Sequence, residues 1–168
     1  GDFTSRLSAR LREQDGYVYD IGATLTAWPG MGRLEITCSV DNDDLIPALD
    51  ALREVISGMI TAPPSAAEID AARRAMILQR AREVGSLAGL AAEYGVGQVY
   101  GLDVDHEDRR FSDYAALTHE QIAAAAQLLL QPAHALWLIT GDGMVIEPML
   151  EQSTWTPGRI RSGFSVLP

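Results

Sequence analysis

Two stretches near the start of the chain alternate between apolar and polar positions, which is the period of β-strands. From Tyr17 to Trp28 one parity carries Tyr19, Ile21, Ala23, Leu25 and Ala27. Residues 33–41 alternate strictly, and their apolar parity is Leu34, Ile36, Cys38 and Val40. A Pro-Gly-Met-Gly turn at 29–32 separates the stretches, so they are predicted to form an antiparallel hairpin with one wet face. Cys38 is therefore expected to be an inert core thiol.

Apolar residues three or four positions apart predict helices on both sides of this hairpin. Residues 2–14 are the first, with Asp2 or Thr4 as its cap and Asp15-Gly16 as its end. The second follows the acidic caps at 41–44 and stops before a pair of prolines. Its apolar stripe consists of Leu45, Leu49, Leu52, Val55, Ile56 and Met59.

Two residue pairs have the spacing of a capping box, in which two side chains three residues apart satisfy free amides of a helix's first turn. Ser65 and Glu68 are one pair, and Thr118 and Gln121 are the other. Each pair is expected to open a helix. Four further helices are predicted after the helix that begins at Leu45. They are residues 66–84, a glycine-punctuated stretch at 87–100, a short polar helix ending at Tyr114, and residues 122–130.

The last clear pattern is a continuous apolar run at 135–140, bounded by Pro132 and Gly141. Such a run predicts a central strand that is buried on both faces. Strands and helices are thus segregated along the chain. This order favours an α+β fold, an antiparallel sheet with helices packed on one face, over a doubly wound dinucleotide-binding fold. The length suits a single domain spanning 1–168, although residues 143–168 are only weakly patterned.

Composition and charge exclude several classes of protein. Thirteen basic and 23 acidic side chains give a net charge of −10, whereas a nucleic-acid-binding surface needs a basic face. The sequence contains no run of 18 or more apolar residues, so no membrane-spanning helix is predicted. A single cysteine excludes an intramolecular disulfide. The chain begins with Gly1, so we interpret it as part of a longer parent, in the cytoplasm or the periplasm if the source is bacterial.

A catalytic zinc site is not predicted within this chain. Its histidines are His106, His119 and His134. A catalytic zinc ion needs three converging protein ligands, commonly two histidines one helical turn apart and a carboxylate. Neither H-E-x-x-H nor H-x-x-E-H occurs in the sequence. The three histidines are therefore expected to be surface or capping residues, and the chain is expected to hold no cofactor.

One constellation remains at the junction between the first helix and the first strand. Arg12 and Tyr19 are seven residues apart across the Asp15-Gly16 turn, so both can point to the same side of the junction. An arginine fork and a tyrosine hydroxyl together can hold carbonyl oxygens of an extended peptide, or an oxyanion that develops at one of them. The alternative is that Arg12 pairs with a nearby acid and Tyr19 packs in the sheet.

Several short motifs follow one another in a recognisable order. Ser5-Arg6-Leu7 leads into Leu11-Arg12-Glu13, and a glycine turn then leads to Tyr19 at the strand start. With these motifs the chain resembles the C-terminal domain of the pitrilysin/insulinase family of zinc peptidases, which includes the mitochondrial processing peptidases. The likeness extends to about residue 142. It is carried further by the hairpin, the acidic cap, Ala48–Leu52, Ser65–Ala72 and Thr118–Ile122.

This resemblance implies a metallohydrolase-like domain that serves proteolysis without binding the metal. In the family an arginine–tyrosine pair, here Arg12 and Tyr19, holds the substrate backbone opposite the zinc site and stabilises the tetrahedral intermediate. Tyr17 competes with Tyr19 for the tyrosine's place, and the motif spacing favours Tyr19. The zinc ligands and the general-base glutamate lie in a different domain, so zinc is expected in a partner domain or subunit. The isolated chain is accordingly expected to be inactive.

The implied partners are an extended peptide or protein substrate and a zinc-bearing half, either on the same parent chain or on a second subunit. A dimer is compatible with the same resemblance. Two alternatives remain open. The chain can be a non-catalytic scaffold or core-type subunit of the same fold, with no proteolytic role. It can also be a ligand-binding α+β module that is unrelated to proteolysis.

Overall fold

The computed structural model describes residues 5–28 and 30–155, and over this part of the chain it confirms the predicted α+β fold. A π-type helix, Ser8–Gln14, precedes the strands β1 (Val18–Trp28) and β2 (Met31–Val40). Six α-helices follow, namely α1 (Leu45–Thr61), α2 (Ala66–Glu83), α3 (Leu87–Val99), α4 (His106–Ala116), α5 (His119–Leu129) and α6 (Gly143–Glu151). None of the helices in the described part is long and apolar enough to cross a membrane.

The two strands form the predicted antiparallel hairpin, and their apolar parities share one face. The apolar pairs across it are Ile21 with Cys38, Ala23 with Ile36, and Leu25 with Leu34. Gly30 supplies the turn with a φ of 78°, a value that favours glycine, while Pro29 lies outside the described residues. Pairing is irregular between Val18 and Ile21, as in a β-bulge. The hairpin is therefore regular toward its tip and bulged at its base.

Two apolar clusters form the core, and α1 contributes to both. The first joins the π-helix, the hairpin and α1 through Leu11, Val18, Ile21, Ala51 and Leu52. The second joins α1 to α6 through Leu45, Leu49, Ile146 and Leu150. Trp137 packs against both clusters and meets Trp155 edge to face, with 4.6 Å between ring centroids. The predicted stripe of α1 is thus the centre of the fold.

The predicted central strand at 135–140 is wrong, because none of these residues is paired in a strand. Trp137 and Ile139 are half-buried, whereas Leu136 and Leu138 are 94% and 83% exposed. Only one side of the run packs on the core. The helix α6 was not predicted, since Pro148 interrupts its pattern.

Cys38 is exposed, so the prediction of a core thiol is also wrong. The predicted parity is confirmed, since Cys38 pairs with the buried Ile21 on the apolar face. Ile36 and Val40, on either side of Cys38, pack against the first core cluster, so coverage of this face varies from one side chain to the next. Toward the tip Leu25 and Leu34 are 72% and 49% exposed. A period-two pattern identifies the apolar face of a strand, but it does not show how much of that face another element covers.

The helix boundaries follow the predicted capping residues closely. The Ser65 hydroxyl accepts from the Glu68 backbone N–H at 3.3 Å, and the Ser65 N–H donates to Glu68 Oε2 at 2.7 Å. Thr118 and Gln121 form the second capping box at the start of α5. The suggested caps Asp2 and Thr4 of the first helix lie outside the described residues. Both capping-box predictions are therefore confirmed.

Glu68 also ties α2 to the segment before the π-helix. Arg6 Nε donates to Glu68 Oε1 at 2.6 Å, and Arg6 Nη1 donates to the Ala62 carbonyl at 2.7 Å. The Arg6 hydrogen bond, helped by the Ser65 N–H, lowers the pKa of Glu68 to about 2. A carboxyl group whose pKa is lowered by folding stabilises the folded state above its unfolded pKa of about 4.3, and this contribution is lost as the pH falls toward 2.

We therefore expect Glu68→Gln to destabilise the chain at pH 6 and to have almost no effect near pH 2. Because the Glu68 side chain is 37% exposed, solvent screening limits the difference to about 1 kcal/mol. Urea unfolding of both proteins at pH 6 and pH 2 measures it. Asp113→Asn, at an exposed acid of α4, is the control. An equal loss of stability in wild type and Glu68→Gln on acidification would refute this role of the ion pair.

Candidate functional site

Arg12 and Tyr19, the two residues singled out by the sequence, lie together where the π-helix meets β1. The guanidinium carbon of Arg12 is 5.8 Å from the centroid of the Tyr19 ring, within the range of a cation–π contact. Arg12 Nε also lies 3.6 Å from Glu13 Oε1. Tyr19 is 87% exposed and does not pack within the sheet. The fold thus brings the two donors together on an accessible surface.

Each of the two residues follows a buried residue that fixes its direction. Leu11 is fully buried and Val18 is 5% exposed, both in the first core cluster. Since neighbouring residues of a strand face opposite sides, burial of Val18 turns Tyr19 outward. Gly16, with a φ of 69°, reverses the chain between them, and the Tyr17 N–H donates to the Leu11 carbonyl at 2.9 Å. The core therefore sets the spacing of the pair.

The two tyrosines at the start of β1 have different environments. Tyr17 is half-buried and packs against the first core cluster. Tyr19 lies in the irregular stretch between Val18 and Ile21, where a bulge re-aims side chains. Tyr19 is therefore the tyrosine whose hydroxyl is presented to solvent beside Arg12, in agreement with the choice that motif spacing favoured.

Arg12 and Tyr19 line one open cleft of about 500 Å³. The residues around it are Arg12, Gly16, Tyr17, Val18, Tyr19, Ser39, Val40 and Asp41. One wall thus comes from the helix–strand junction and the other from the end of β2. A guanidinium and a phenol on one wall are hydrogen-bond donors suited to carbonyl oxygens or to an oxyanion. Asp41 adds a negative charge on the opposite wall.

The histidines do not form a metal site in the described part of the chain. The His119 ring donates to the Pro64 carbonyl, and His134 Nδ1 donates to Gln131 Oε1 at 2.7 Å. His106 lies near a different cleft. Across residues 5–28 and 30–155, no three His, Cys, Asp or Glu side chains are grouped so that they hold a metal ion. The side chains that are present do not fit a zinc ion.

A second cleft, of about 470 Å³, lies among α2, α3 and α4, and no motif predicted it. Arg80 and Glu93 form an ion pair there, with side chains only 17% and 18% exposed. The Arg80 guanidinium also lies 5.3 Å from the centroid of the Phe111 ring. Arg110, on the same cleft, pairs with Glu107. The charged side chains of this cleft are thus largely paired with one another.

Comparison with known proteins agrees with this architecture. A family model described as the peptidase M16 inactive domain matches residues 1–76, a range that contains both Arg12 and Tyr19. Among eight solved chains that match is the crystal structure of a peptidase M16 inactive domain from Pseudomonas fluorescens. It shares 23% sequence identity with this chain and superposes with a TM-score of 0.70. No curated protein matches the chain.

The aligned region is a minor part of that larger protein. It covers 79% of this chain but only 31% of the Pseudomonas chain. At 23% sequence identity the likeness shows the fold, and the family model matches residues 1–76, a little under half of the chain. The resemblance to the C-terminal, inactive domain of the pitrilysin/insulinase-type peptidases is thereby confirmed: residues 1–76 match the M16 inactive domain, and the chain has the fold of such a domain.

Proposed function

We propose that this chain holds extended peptide substrates for a zinc metallopeptidase whose metal site lies on another domain or subunit. The observation that supports the proposal is the cleft lined by both Arg12 and Tyr19. The ring centroid of the exposed Tyr19 lies 5.8 Å from the guanidinium carbon of Arg12. Within the described residues no group of histidine and acidic side chains could hold a metal ion, and the proposal accordingly places the hydrolytic centre on another domain or subunit.

Arg12 and Tyr19 act as donors to the peptide backbone in this proposal. The arginine fork binds a substrate carbonyl, and the Tyr19 hydroxyl donates to the oxygen of the scissile carbonyl. That oxygen becomes negatively charged as the peptide bond is attacked, so a donor already in place stabilises the transition state more than the ground state. Leu11 and Val18 hold the donors in position, which limits the reorganisation required during the reaction.

An extended substrate has a suitable partner beside the cleft. In the described structure β1 and β2 pair only with each other, so the outer edge of each strand keeps unpaired backbone groups. A peptide that adds itself to such an edge forms main-chain hydrogen bonds whatever its sequence. Because these hydrogen bonds involve only the backbone, peptides of many sequences can pair with the strand in the same register. In that register the scissile bond lies beside Arg12 and Tyr19.

Photo-cross-linking tests where the peptide binds. A peptide with a central benzophenone side chain is irradiated together with the chain, which is then digested with trypsin. The tryptic fragments 13–33 and 34–53 contain most of the residues around the cleft at Arg12 and Tyr19. The fragment 83–109 contains much of the second cleft. We expect adducts on the first two fragments that disappear with excess unlabelled peptide. Adducts on 83–109, or labelling that competitor does not reduce, would exclude peptide binding at Arg12 and Tyr19.

A further inference from the structure

Ser39 lies across the hairpin from Tyr19, at the irregular step in the pairing of β1 with β2. The pairs on either side of this step are Val18 with Val40 and Ile21 with Cys38. They leave two residues of β1, Tyr19 and Asp20, opposite the single residue Ser39, as in a β-bulge. Tyr19 and Ser39 both line the cleft that contains Arg12. Ser39 is therefore the residue of β2 that lies level with Tyr19.

The Ser39 hydroxyl is open to a ligand on this cleft. Cys38 and Val40, its neighbours along β2, have the parity of the apolar face, so Ser39 projects from the other face. Tyr19 projects from that face too, because it follows the buried Val18. Ser39 is exposed, and across residues 5–28 and 30–155 its hydroxyl takes part in no hydrogen bond.

An extended peptide held by Arg12 and Tyr19 needs an acceptor as well as donors. In an extended chain the N–H and the C=O of one residue point to the same side, so paired residues of an antiparallel ladder exchange both groups. A substrate residue whose carbonyl oxygen lies at Arg12 or Tyr19 thus presents its own N–H to the same cleft. A guanidinium has no acceptor, and in the proposed function the Tyr19 hydroxyl is used as a donor. The substrate N–H then requires a different partner.

We propose that the Ser39 hydroxyl accepts a hydrogen bond from this backbone N–H, which makes Ser39 a third substrate-binding residue of the site. The inference rests on the proposed peptide-holding function and adds a requirement to it. The substrate has to carry a backbone N–H at one position beside the scissile bond. Proline and N-methylated residues lack that group, so the site discriminates against them at this position.

Two other polar side chains near Ser39 are less well placed for this role. Asp41 carries a carboxylate on the same cleft, but it follows the end of β2 and lies level with Tyr17. Thr37 projects from the same face of β2 as Ser39, two residues nearer the hairpin tip, and it is not among the residues around the cleft. Thr37 therefore provides a matched control, since its hydroxyl can be removed from the same strand face outside the site.

The test uses the assembled peptidase, in which this chain is combined with its zinc-bearing half, and one peptide with a single cleavage site. A series of analogues replaces one backbone N–H at a time, on the residues that flank this site, by an ester oxygen. Mass spectrometry of the products identifies the bond that is cleaved. The kcat/KM of each analogue is measured with the wild type, with Ser39→Ala and with Thr37→Ala.

For the unmodified peptide, Ser39→Ala is expected to lower kcat/KM roughly five-fold, the size of one neutral hydrogen bond. For the analogue that lacks the N–H facing Ser39, the ratio of wild type to Ser39→Ala is expected to fall to about one. For the other analogues the ratio stays near five. Thr37→Ala is expected to cleave every peptide as the wild type does.

Two results overturn the inference. One is equal cleavage of the unmodified peptide by the wild type and Ser39→Ala. The other is a loss in Ser39→Ala that has the same size for every analogue, because the hydroxyl would then support the fold and not a substrate N–H.

The same assemblies separate failure of this inference from failure of the proposed function. If Tyr19→Phe slows cleavage of all the peptides while either of those two results is seen, the peptide-holding site stands and only the role of Ser39 falls. If neither Tyr19→Phe nor Ser39→Ala slows cleavage, or if no peptide is cleaved by any assembly, both fall together.

Discussion

Replacing Tyr19 by phenylalanine in the assembled peptidase is expected to lower kcat by on the order of 10²-fold, because one donor to the developing oxyanion is removed. The change deletes a single hydroxyl and keeps the ring that contacts Arg12. Since Tyr19 is 87% exposed, the loss of its hydroxyl should leave the folded chain as stable as before. Steady-state cleavage of one peptide, together with a thermal unfolding curve for the same preparation, measures both effects.

Tyr17→Phe is the matched control, because it deletes the same hydroxyl from a half-buried tyrosine two residues away. It is expected to change kcat by less than about three-fold, well short of the loss of an oxyanion donor. Removal of a hydroxyl that acts only in the transition state lowers kcat and kcat/KM equally. Removal of a hydroxyl that merely binds the substrate raises KM and leaves kcat unchanged. An unchanged kcat in Tyr19→Phe, or an equal loss in Tyr17→Phe, would remove the proposed role from Tyr19.

Much of the site could be anticipated because its determinants are local in sequence. Leu11 and Arg12, and likewise Val18 and Tyr19, are neighbouring positions of which one is buried and the other is not. The helix period and the glycine turn bring Arg12 and Tyr19 to the same junction, but the strand period assigns Tyr19 to the apolar parity of Ile21, whereas Tyr19 is exposed in the structure. The motif spacing favoured Tyr19 over Tyr17, but it did not show which of the two side chains is exposed. The bulge between Val18 and Ile21 provides that distinction, and it is a matter of strand register.

The features that the sequence did not reveal depend on contacts between distant segments. Leu136 and Leu138 belong to an apolar run that suits a buried strand, yet in the described structure nothing covers their side of it. Cys38 has the parity of a core residue and is exposed, although Ile36 and Val40 on either side of it pack against the first core cluster. Arg80 and Glu93 meet only because α2 and α3 fold against each other. Periodicity identifies faces, whereas coverage of a face is a property of the whole fold.

Restoration of peptide cleavage is the second large effect that this account predicts. The chain holds no metal group in its described part, so alone it is expected to cleave no peptide. A zinc-bearing half alone lacks the donors of Arg12 and Tyr19. Adding this chain to that half is expected to raise the cleavage rate by on the order of 10²-fold or more, since each well-placed oxyanion donor contributes a factor of this size.

The most direct test of the central claim compares two versions of this chain in that experiment, the wild type and an Arg12→Ala/Tyr19→Phe double variant. Both are titrated into the same zinc-bearing half, and association is measured alongside the rate of cleavage. We predict that both chains associate equally and that only the wild type restores cleavage. Equal restoration by the double variant would contradict the account, because the chain would then serve as a scaffold and Arg12 and Tyr19 would take no part in catalysis.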